Sequence, residues 1–417
     1  MSVKILHFAD AHIDRRSGGK TDTETGLPVR VVDFLKSLDT IVDTAIDEGV
    51  QLVLFAGDAY KSPMPAPTFV REWDKRLRRL ADAHIPVLLI EGNHDRTPAY
   101  KKAGALQELG TFDIPYIHLA KQVELWTPEM LDGVPIQVLT VPWISKSAMI
   151  AHEAAAEDLK GLTQTESALK MEAALEARVE RELADADKSL PIVLLAHYGV
   201  RGARYASGQE VAYSEEVTLS KGLVTDSRFA YSALGHIHKY QDLNKDAQPP
   251  AVYSGSIEHV DYGEAKEKKG FVIAEVDNGR TEYEFRKLDT RPMYNLVYEY
   301  EDGSGEEMTR DLLELLPEPE LAREALVKLT VKYPHEMESA IDERALREKV
   351  KGAAEFRLLR KPEYANRIRV AGETIAGMTP QSLLERYCEV YKMNNYEKLS
   401  KLADEIFNSA NDVTTEG

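Results

Sequence analysis

Short apolar runs alternate with longer stretches of helical periodicity over roughly the first 110 residues. The apolar runs have the length of strands and are bounded by polar or turn residues, at 3–9, 51–56 and 86–90. Helical spacing covers about 29–48 and 68–84 between them, and about 99–109 after the third run. This alternation predicts an α/β sheet whose neighbouring strands are connected by helices.

Strand-like runs continue through the middle of the chain, where one long polar insert separates them. They lie at 123–126, 136–141, 191–196, 229–234, 252–256 and 270–276. Residues 148–187 are rich in Ala, Glu, Leu and Lys, with Gly161 as the single Gly or Pro, which predicts one or two exposed helices. The pattern over 3–276 therefore predicts two packed sheets with helices outside them.

The pattern changes at about residue 290. Strands are predicted at 294–300, 326–332 and 355–360, with helices at about 306–316 and 341–351, which together form a small α+β unit. Thr379 and Pro380 then suit the N-cap and first position of an amphipathic helix, and a second set of apolar positions covers 399–407. These two helices either dock on their own domain or bind a partner. The predicted domains are 1–285, 286–370 and 371–417.

Polar side chains follow five of the strand-like runs at the point where each run ends. They are Asp10 and His12, then Asp58, then Asn93, His94 and Asp95, then His197, then His236 and His238. Ligands of open α/β sheets bind past the carboxyl ends of the strands. Each of these residues alone is more often structural than functional, and five such loops in one chain argue for a common site.

The ligand types in this set indicate a metal centre for phosphate chemistry. Imidazole and oxygen ligands without thiolate suit Mn, Fe or Zn, and mixed carboxylate and amide oxygens favour Mn. Seven candidates exceed one ion and fit two ions bridged by a carboxylate, which is the arrangement that hydrolyses phosphate esters. His94 lies beside a candidate ligand and could protonate the leaving oxygen. Asp95 could orient His94, or it could be a turn residue.

Composition limits the remaining possibilities. The 417 residues carry a net charge of -18 with a pI of about 5.2, which argues against coating nucleic acid through a bulk positive field. The single cysteine, Cys388, excludes an intrachain disulfide and fits a reducing compartment. No run reaches 18 apolar residues and the N-terminus lacks a signal-peptide layout, so we expect a cytoplasmic protein.

The order of these motifs resembles that of the calcineurin-like metallophosphoesterases. Asp-x-His, Gly-Asp, Gly-Asn-His-Asp, a strand-terminal His and Gly-His-x-His occur in this order over about 3–275. Three further segments narrow the resemblance to the SbcD-type DNA repair nucleases, relatives of the meiotic-recombination-eleven nuclease. They are Phe8-Ala9-Asp10-Ala11-His12, Tyr253-Ser254-Gly255-Ser256 and Lys268-Lys269-Gly270-Phe271.

The resemblance implies a four-layer αββα metallophosphoesterase sandwich with a smaller α+β cap domain and C-terminal helices. It also implies a role for each site residue. One metal would be bound by Asp10, His12 and His238, and the other by Asn93, His197 and His236. Asp58 would bridge the two metals, and His94 would act on the leaving group. Two Mn²⁺ ions are the implied cofactors.

The resemblance further implies exonuclease and endonuclease activity on DNA ends or hairpins, in a homodimer. The cap, at about 290–370, would help place DNA, and the terminal helices, at about 379–410, would bind an SbcC-type coiled-coil ATPase. A phosphodiesterase or phosphatase for small molecules or phosphoproteins would share every metal ligand and is the alternative. A scaffold protein with a vestigial site is a third class, against which the complete ligand set speaks.

Basic residues near the site loops are the candidates for DNA contact. They are Arg15, Arg16, Lys61, Arg201 and Arg204. Many relatives carry Leu-Phe and then His or Asp after the Gly-Asp motif, whereas this chain carries Ala59-Tyr60-Lys61. We therefore hypothesise that Lys61 contacts phosphate directly.

Overall fold

A computed structural model describes most of the chain, namely residues 2–15, 20–96, 103–111, 114–144, 162–212, 216–364, 379–390, 396 and 398–403. The chain divides into two compact units. The first comprises Met1–Tyr298, Thr309–Thr330 and Asp342–Leu359, and the second comprises Glu299–Met308, Val331–Ile341 and Arg360–Gly417. Within the described segments, no helix has both the length and the apolar character needed to cross a membrane.

The described strands and helices follow the predicted order. The strands are β1 (Val3–Phe8), β2 (Leu52–Phe55), β3 (Val87–Ile90), β4 (Ile117–Ala120), β5 (Glu124–Trp126), β6 (Gln137–Val141), β7 (Ile192–His197), β8 (Tyr231–Gly235), β9 (Gln241–Asp242), β10 (Ala251–Tyr253), β11 (Gly270–Val276), β12 (Glu282–Lys287), β13 (Met293–Glu299), β14 (Leu326–Pro334) and β15 (Glu355–Glu363). The helices are α1 (Val29–Asp47), α2 (Pro67–Asp82), α3 (Ala105–Leu109), α4 (Gln164–Ala184), α5 (Lys221–Val224), α6 (Gly305–Leu315), α7 (Pro319–Ala322), α8 (Glu343–Lys349) and α9 (Pro380–Val390).

The first unit contains two six-stranded mixed sheets. Their strand orders are β12-β11-β1-β2-β3-β4 and β5-β6-β7-β8-β10-β9. Strands β1 to β4 are parallel, as are β6, β7, β8 and β10, and antiparallel strands lie at the edges. Each sheet therefore directs the carboxyl ends of its central strands to one edge.

Three apolar clusters fix the layers of the sandwich. The inner faces of both sheets meet in one cluster, in which Leu54 and Leu88 of the first sheet join Val193 and Leu195 of the second. The outer face of the first sheet packs on α1 and α2, and the outer face of the second packs on α4. The predicted mixed α/β fold with two packed sheets and outer helices is confirmed, because each sheet is buried on both faces.

Several predicted bounds are corrected by the structure. The helix predicted at 99–109 is described only from Ala105, after Gly104 in extended conformation, and residues 97–102 lie outside the described part. The insert predicted at 148–187 contains α4, which begins at a capping box formed by Thr163 and Glu166, and residues 145–161 are outside the described residues. The strand predicted at 252–256 ends at Tyr253.

The small α+β part contains the three-stranded sheet β13-β14-β15. In the first unit its buried apolar residues include Leu312, Leu329 and Leu346, and in the second unit they include Val331 and Tyr333. Leu329, Val331 and Tyr333 occupy alternate positions along β14, as the sequence pattern predicts. The bounds of the three predicted domains remain a prediction.

The terminal helix α9 begins where the sequence predicts. The Thr379 hydroxyl accepts a hydrogen bond from the backbone N–H of Ser382 at 3.2 Å, which is an N-cap contact. Residues 398–403 are also helical where described, and the rest of the second predicted helix lies outside the described residues.

His7 makes the stability of the sandwich depend on pH. Its ring is fully buried on β1, and burial lowers the pKa of His7 to about 3. The unfolded chain binds the proton near pH 6.5, so the folded state loses stability as the pH falls below 6.5 toward 3, by roughly 1.4 kcal/mol per pH unit. We expect the free energy of unfolding of His7→Gln, measured with urea in the presence of EDTA, to lack this part of the pH dependence. Parallel stability curves for both proteins between pH 7 and 4.5 would contradict the expectation.

Candidate metal centre

The carboxyl ends of the parallel strands bring all seven predicted ligands to one place. Asp10, Asp58 and Asn93 follow β1, β2 and β3 of the first sheet, whereas His197 ends β7 and His236 follows β8 of the second. The two sheets face each other, so these loops meet across the sandwich. The remaining two candidates, His12 and His238, lie two residues beyond Asp10 and His236.

One cluster contains Asp10, His12 and His238, which offer ligand atoms that all lie within 4.8 Å of one another. The Nε2 atoms of His12 and His238 are 3.2 Å apart. An oxygen of Asp10 lies 3.9 Å from His238 Nε2. This is the set that the resemblance assigns to the first metal.

A second cluster is centred on the side-chain oxygen of Asn93. His197 Nε2 and His236 Nδ1 each lie 3.1 Å from that oxygen. Asp58 lies between the clusters, because its Oδ2 atom is 3.4 Å from His197 Nε2 and 3.7 Å from His12 Nε2. The candidate ligands thus form two sets with Asp58 positioned to join them, and a carboxylate oxygen of Asp10 also lies within 4.8 Å of ligand atoms of Asp58 and His197.

The hydrogen bonds of the imidazole rings indicate that the cluster needs a cation. His12 Nδ1 donates to the carbonyl of Tyr60 at 3.3 Å, and His238 Nδ1 donates to Glu264 at 2.7 Å. Each neutral ring then carries a lone pair on Nε2, and these two atoms face each other at 3.2 Å. Two acceptors in contact repel unless a proton or a metal ion lies between them. The donor set therefore fits a divalent metal, whose imidazole ligands must be neutral.

Burial and the charges of neighbouring groups act on the ligand pKa values in opposite senses at several positions. Burial lowers the pKa of His12 and of His236 to about 3, so both rings are neutral near pH 7. Burial raises the pKa of Asp10 to about 6. Burial would also raise the pKa of Asp58, but the charge and hydrogen bond of His197 outweigh it and hold that pKa below its usual range.

Four of the site residues have left-handed backbone conformations. Asp10, His12, Asp58 and His236 have φ values of 51°, 38°, 63° and 92°. Non-glycine residues adopt this region rarely, and at a cost of about 1 kcal/mol or more each. The surrounding sheets maintain the strain, which turns these side chains toward the shared site.

Gly57 is required by the close approach of the loops. It has a φ of +88°, and a Cβ atom there would lie 2.5 Å from His197 Nδ1. That same nitrogen donates to the carbonyl of Ala56 at 2.6 Å. A side chain at position 57 would therefore displace a candidate ligand.

Asp95 contacts the backbone and not the ring of His94. Its carboxylate accepts from the backbone N–H groups of Asp58 at 2.7 Å, Gly92 at 2.9 Å and Ala59 at 3.0 Å. The predicted orienting contact with His94 is thus corrected: the neighbouring loops needed an acceptor for their buried N–H groups, and Asp95 supplies it. This geometry matches the turn residue that the sequence left open.

The His94 ring is held by a different partner. Its Nδ1 atom donates to the backbone carbonyl of Lys61 at 3.0 Å, and its backbone N–H donates to Asp58 Oδ1 at 2.9 Å. The ring centroid lies 5.2 Å from that of His12. His94 is therefore beside the candidate ligands without replacing any of them.

The five predicted DNA contacts have different surroundings. Lys61 is exposed beside His94, and Arg15 is half-buried directly after the Asp10–His12 loop. Arg16 lies outside the described residues. Arg204 is exposed, and its backbone N–H donates to the side chain of Gln241.

Arg201 makes an intramolecular ion pair with Glu172 of α4 and also donates to Thr218 at 3.3 Å. Its side chain is 22% exposed, so the guanidinium fastens α4 to its sheet. Any contact that Arg201 makes with DNA has to coexist with this pair.

The sequence analysis missed the residues that support the ligands. Glu264 and Lys269 lie behind His238, and Lys269 falls within a segment singled out only for its resemblance. Trp143 stacks on the ring of His236, with centroids 5.5 Å apart and an interplanar angle of 22°. The only signal in the sequence for these residues was the presence of Lys269 in that segment. The spacing of Glu264 and Trp143 relative to the ligands follows no motif.

The chain is similar to three known proteins described here. The DNA double-strand break repair protein Mre11 of Archaeoglobus fulgidus is 26% identical over 328 residues, which are 75% of this chain and 65% of that protein, just under two thirds of its length. An SbcCD nuclease subunit of Staphylococcus epidermidis is 22% identical over 280 residues, 67% of each chain. A dimetal phosphatase of solved structure from Danio rerio has a TM-score of 0.38 at 11% identity, covering 68% of this chain and 96% of that one.

The profile of the calcineurin-like phosphoesterases matches residues 3–240, more than half of the chain. This range contains every predicted metal ligand and the strands that carry these ligands, and the remaining strands of the two sheets, β9 to β12, follow it. The chain belongs to the calcineurin-like phosphoesterase family.

Proposed function

We propose that this chain is a Mn²⁺-dependent nuclease that hydrolyses phosphodiester bonds at DNA ends or hairpins in double-strand-break repair. The observation that carries the proposal is the convergence of seven oxygen and imidazole ligands on two sets joined by Asp58. The printed names of the Mre11 and SbcCD relatives support DNA as the substrate. The same role places the protein in the cytoplasm, associated with the nucleoid.

Each protein group has a distinct task in this reaction. One metal would be held by Asp10, His12 and His238. The other metal would be held by Asn93, His197 and His236. Two bound metals stabilise charge on the attacked phosphate and supply a nucleophile near neutral pH. His94, oriented by the Lys61 carbonyl, donates a proton to the oxygen that leaves.

Because the chain as a whole is acidic, basic side chains near the site supply most of its affinity for DNA. Lys61 and Arg204 are exposed near the site loops, and Arg15 follows a ligand loop. An SbcC-type ATPase supplies the remaining contacts and binds the terminal helices, where Leu383 is 39% exposed and Tyr387 is 54% exposed. A net charge of -18 then leads us to expect weak DNA binding by the chain alone.

The test is a digest of end-labelled blunt and hairpin duplexes with purified protein, with and without Mn²⁺. We expect Mn²⁺-dependent shortening from ends and opening of hairpins. Hydrolysis of bis-p-nitrophenyl phosphate without any cleavage of DNA, also in the presence of the ATPase, would instead favour the small-molecule phosphodiesterase. No hydrolysis of either substrate would favour a scaffold protein.

A second copy of the chain is the proposed occupant of an apolar groove beside α2 and α3. The groove has a volume of about 720 Å³ and includes Met64, Val70, Leu77 and Leu109. Met64 lines this groove and is 74% exposed, so it adds to the apolar surface that a second copy would cover. The homodimer implied by the resemblance provides that second copy.

Met64→Asp is therefore expected to weaken dimerisation by roughly tenfold or more, because a charge would be buried in an apolar contact. Sedimentation equilibrium measures the effect. Met130→Asp is the matched control, since Met130 is 40% exposed and lies outside the groove. If Met64→Asp, Met130→Asp and the wild type associate equally, the groove is not the dimer interface.

A further inference from the structure

We infer that Glu264 is a positioning residue that aims His238 at the metal centre, with Lys269 holding Glu264 in place. The inference rests on the proposed role of His238 as a metal ligand. It concerns how tightly one of the two metals is bound, and it is separate from the choice of substrate.

The contact between Glu264 and His238 sets which nitrogen of the ring can bind a metal. His238 Nδ1 donates to Glu264 Oε1 at 2.7 Å, so the lone pair of the neutral ring is on Nε2. That atom is the one that lies 3.2 Å from His12 Nε2. A carboxylate behind a ligating imidazole fixes its tautomer and orientation and makes it a stronger ligand.

Lys269 fixes the opposite side of the Glu264 carboxylate. Its ammonium donates to Glu264 Oε2 at 2.6 Å, to the Ser256 hydroxyl at 2.8 Å and to the backbone carbonyl of His238 at 3.0 Å. These three acceptors use all three of its N–H donors. A lysine that is only 1% exposed needs such compensation, because an unpaired buried charge is strongly unfavourable.

The two oxygens of Glu264 have separate tasks, which distinguishes this arrangement from a simple buried ion pair. Oε1 accepts from the His238 ring, while Oε2 accepts from Lys269 and from the backbone N–H of Val260 at 2.9 Å. Lys269 also binds the backbone of His238, so it holds both the carboxylate and the ligand loop. The His238 ring and the Glu264 carboxylate are thus held in place by Lys269 and Val260, which are distant from His238 along the chain.

Counting bound Mn²⁺ from the electron paramagnetic resonance signal of the free ion tests the inference directly. We expect the wild type to bind two ions. In Glu264→Gln, the affinity of one site should fall by roughly 10–100-fold while the other is unchanged, because His238 belongs to only one ligand set. Hydrolysis of bis-p-nitrophenyl phosphate by this variant should recover as Mn²⁺ is raised.

Glu267→Gln is the matched control. Glu267 lies on the same segment and pairs with Lys239 at 3.0 Å, but its side chain contacts no candidate ligand in the described part of the chain. Its loss should leave both affinities unchanged. If Glu264→Gln does not fold, Glu264→Asp keeps the charge and shortens the side chain by one methylene, and the same one-site loss is expected.

The outcomes separate this inference from the proposed metal centre. A wild type that takes up no divalent metal contradicts the metal centre itself. A wild type with two bound ions and a folded Glu264 variant with two unchanged affinities overturns the positioning role. Equal weakening of both sites also overturns it, because it indicates a general structural effect.

Discussion

Asp58→Asn is expected to remove joint binding of two metals and to lower phosphodiester hydrolysis by about 10³-fold or more. A loss of this size corresponds to roughly 4 kcal/mol of transition-state stabilisation, the scale on which a metal pair acts. Asp58 is the residue that contacts both ligand sets, at 3.4 Å from His197 and 3.7 Å from His12.

The reason is the charge that Asp58 contributes between two cations. An amide has nearly the same shape as a carboxylate, so the substitution would preserve packing while presenting a neutral oxygen, which leaves the repulsion between two divalent ions uncompensated. Binding of Mn²⁺ should therefore fall from two ions per chain to one or none. Titration of Mn²⁺ binding and hydrolysis of bis-p-nitrophenyl phosphate measure the two effects.

Asp132→Asn provides the matched control. Asp132 also has a left-handed backbone, with a φ of 53°, and its carboxylate also pairs with a histidine, His118, at 2.6 Å. It lies outside the candidate centre, so its substitution should leave metal binding and hydrolysis unchanged. Two tightly bound ions in the Asp58 variant would contradict the bridging role.

Much of the candidate site could be predicted because its residues occupy regular positions. Parallel strands place their carboxyl ends at one edge, so the polar residues that follow the strands of each sheet had to be neighbours. The apolar runs also indicated the two sheets. Asp58 and His197 belong to different sheets, so predicting that they meet required the further inference that the inner faces of the two sheets pack together. The fully apolar runs of both sheets indicated this packing.

The supporting residues could not be predicted in the same way. Glu264 reaches His238 from a short turn 26 residues later, and Arg201 pairs with Glu172 from a helix 29 residues earlier. Such contacts depend on loop conformation, which no periodicity encodes. Asp95 shows the same limit: the adjacent positions 94 and 95 suggested a pair, whereas its carboxylate accepts from the buried N–H groups of Asp58 and Ala59 in the loop after β2.

His94→Ala is expected to keep both metals and still lower DNA cleavage by roughly 10²–10⁴-fold, the usual contribution of a general acid. The structure separates His94 from the ligands, because its ring nitrogen donates to the Lys61 carbonyl and only its backbone N–H contacts Asp58. Loss of the ring thus removes a proton donor and leaves the metal ligands intact. Titration of Mn²⁺ binding should give the wild-type result.

The identity of the leaving group distinguishes proton donation from simple positioning. A sugar alkoxide needs a proton as the bond breaks, whereas p-nitrophenolate leaves readily without one. His94→Ala should therefore lose much more activity on DNA than on bis-p-nitrophenyl phosphate. His84→Ala is the control, because His84 is exposed and its ring contacts Tyr116 away from the centre. Equal losses on both substrates would show that His94 acts by holding the phosphate, since that role does not depend on how well the oxygen leaves.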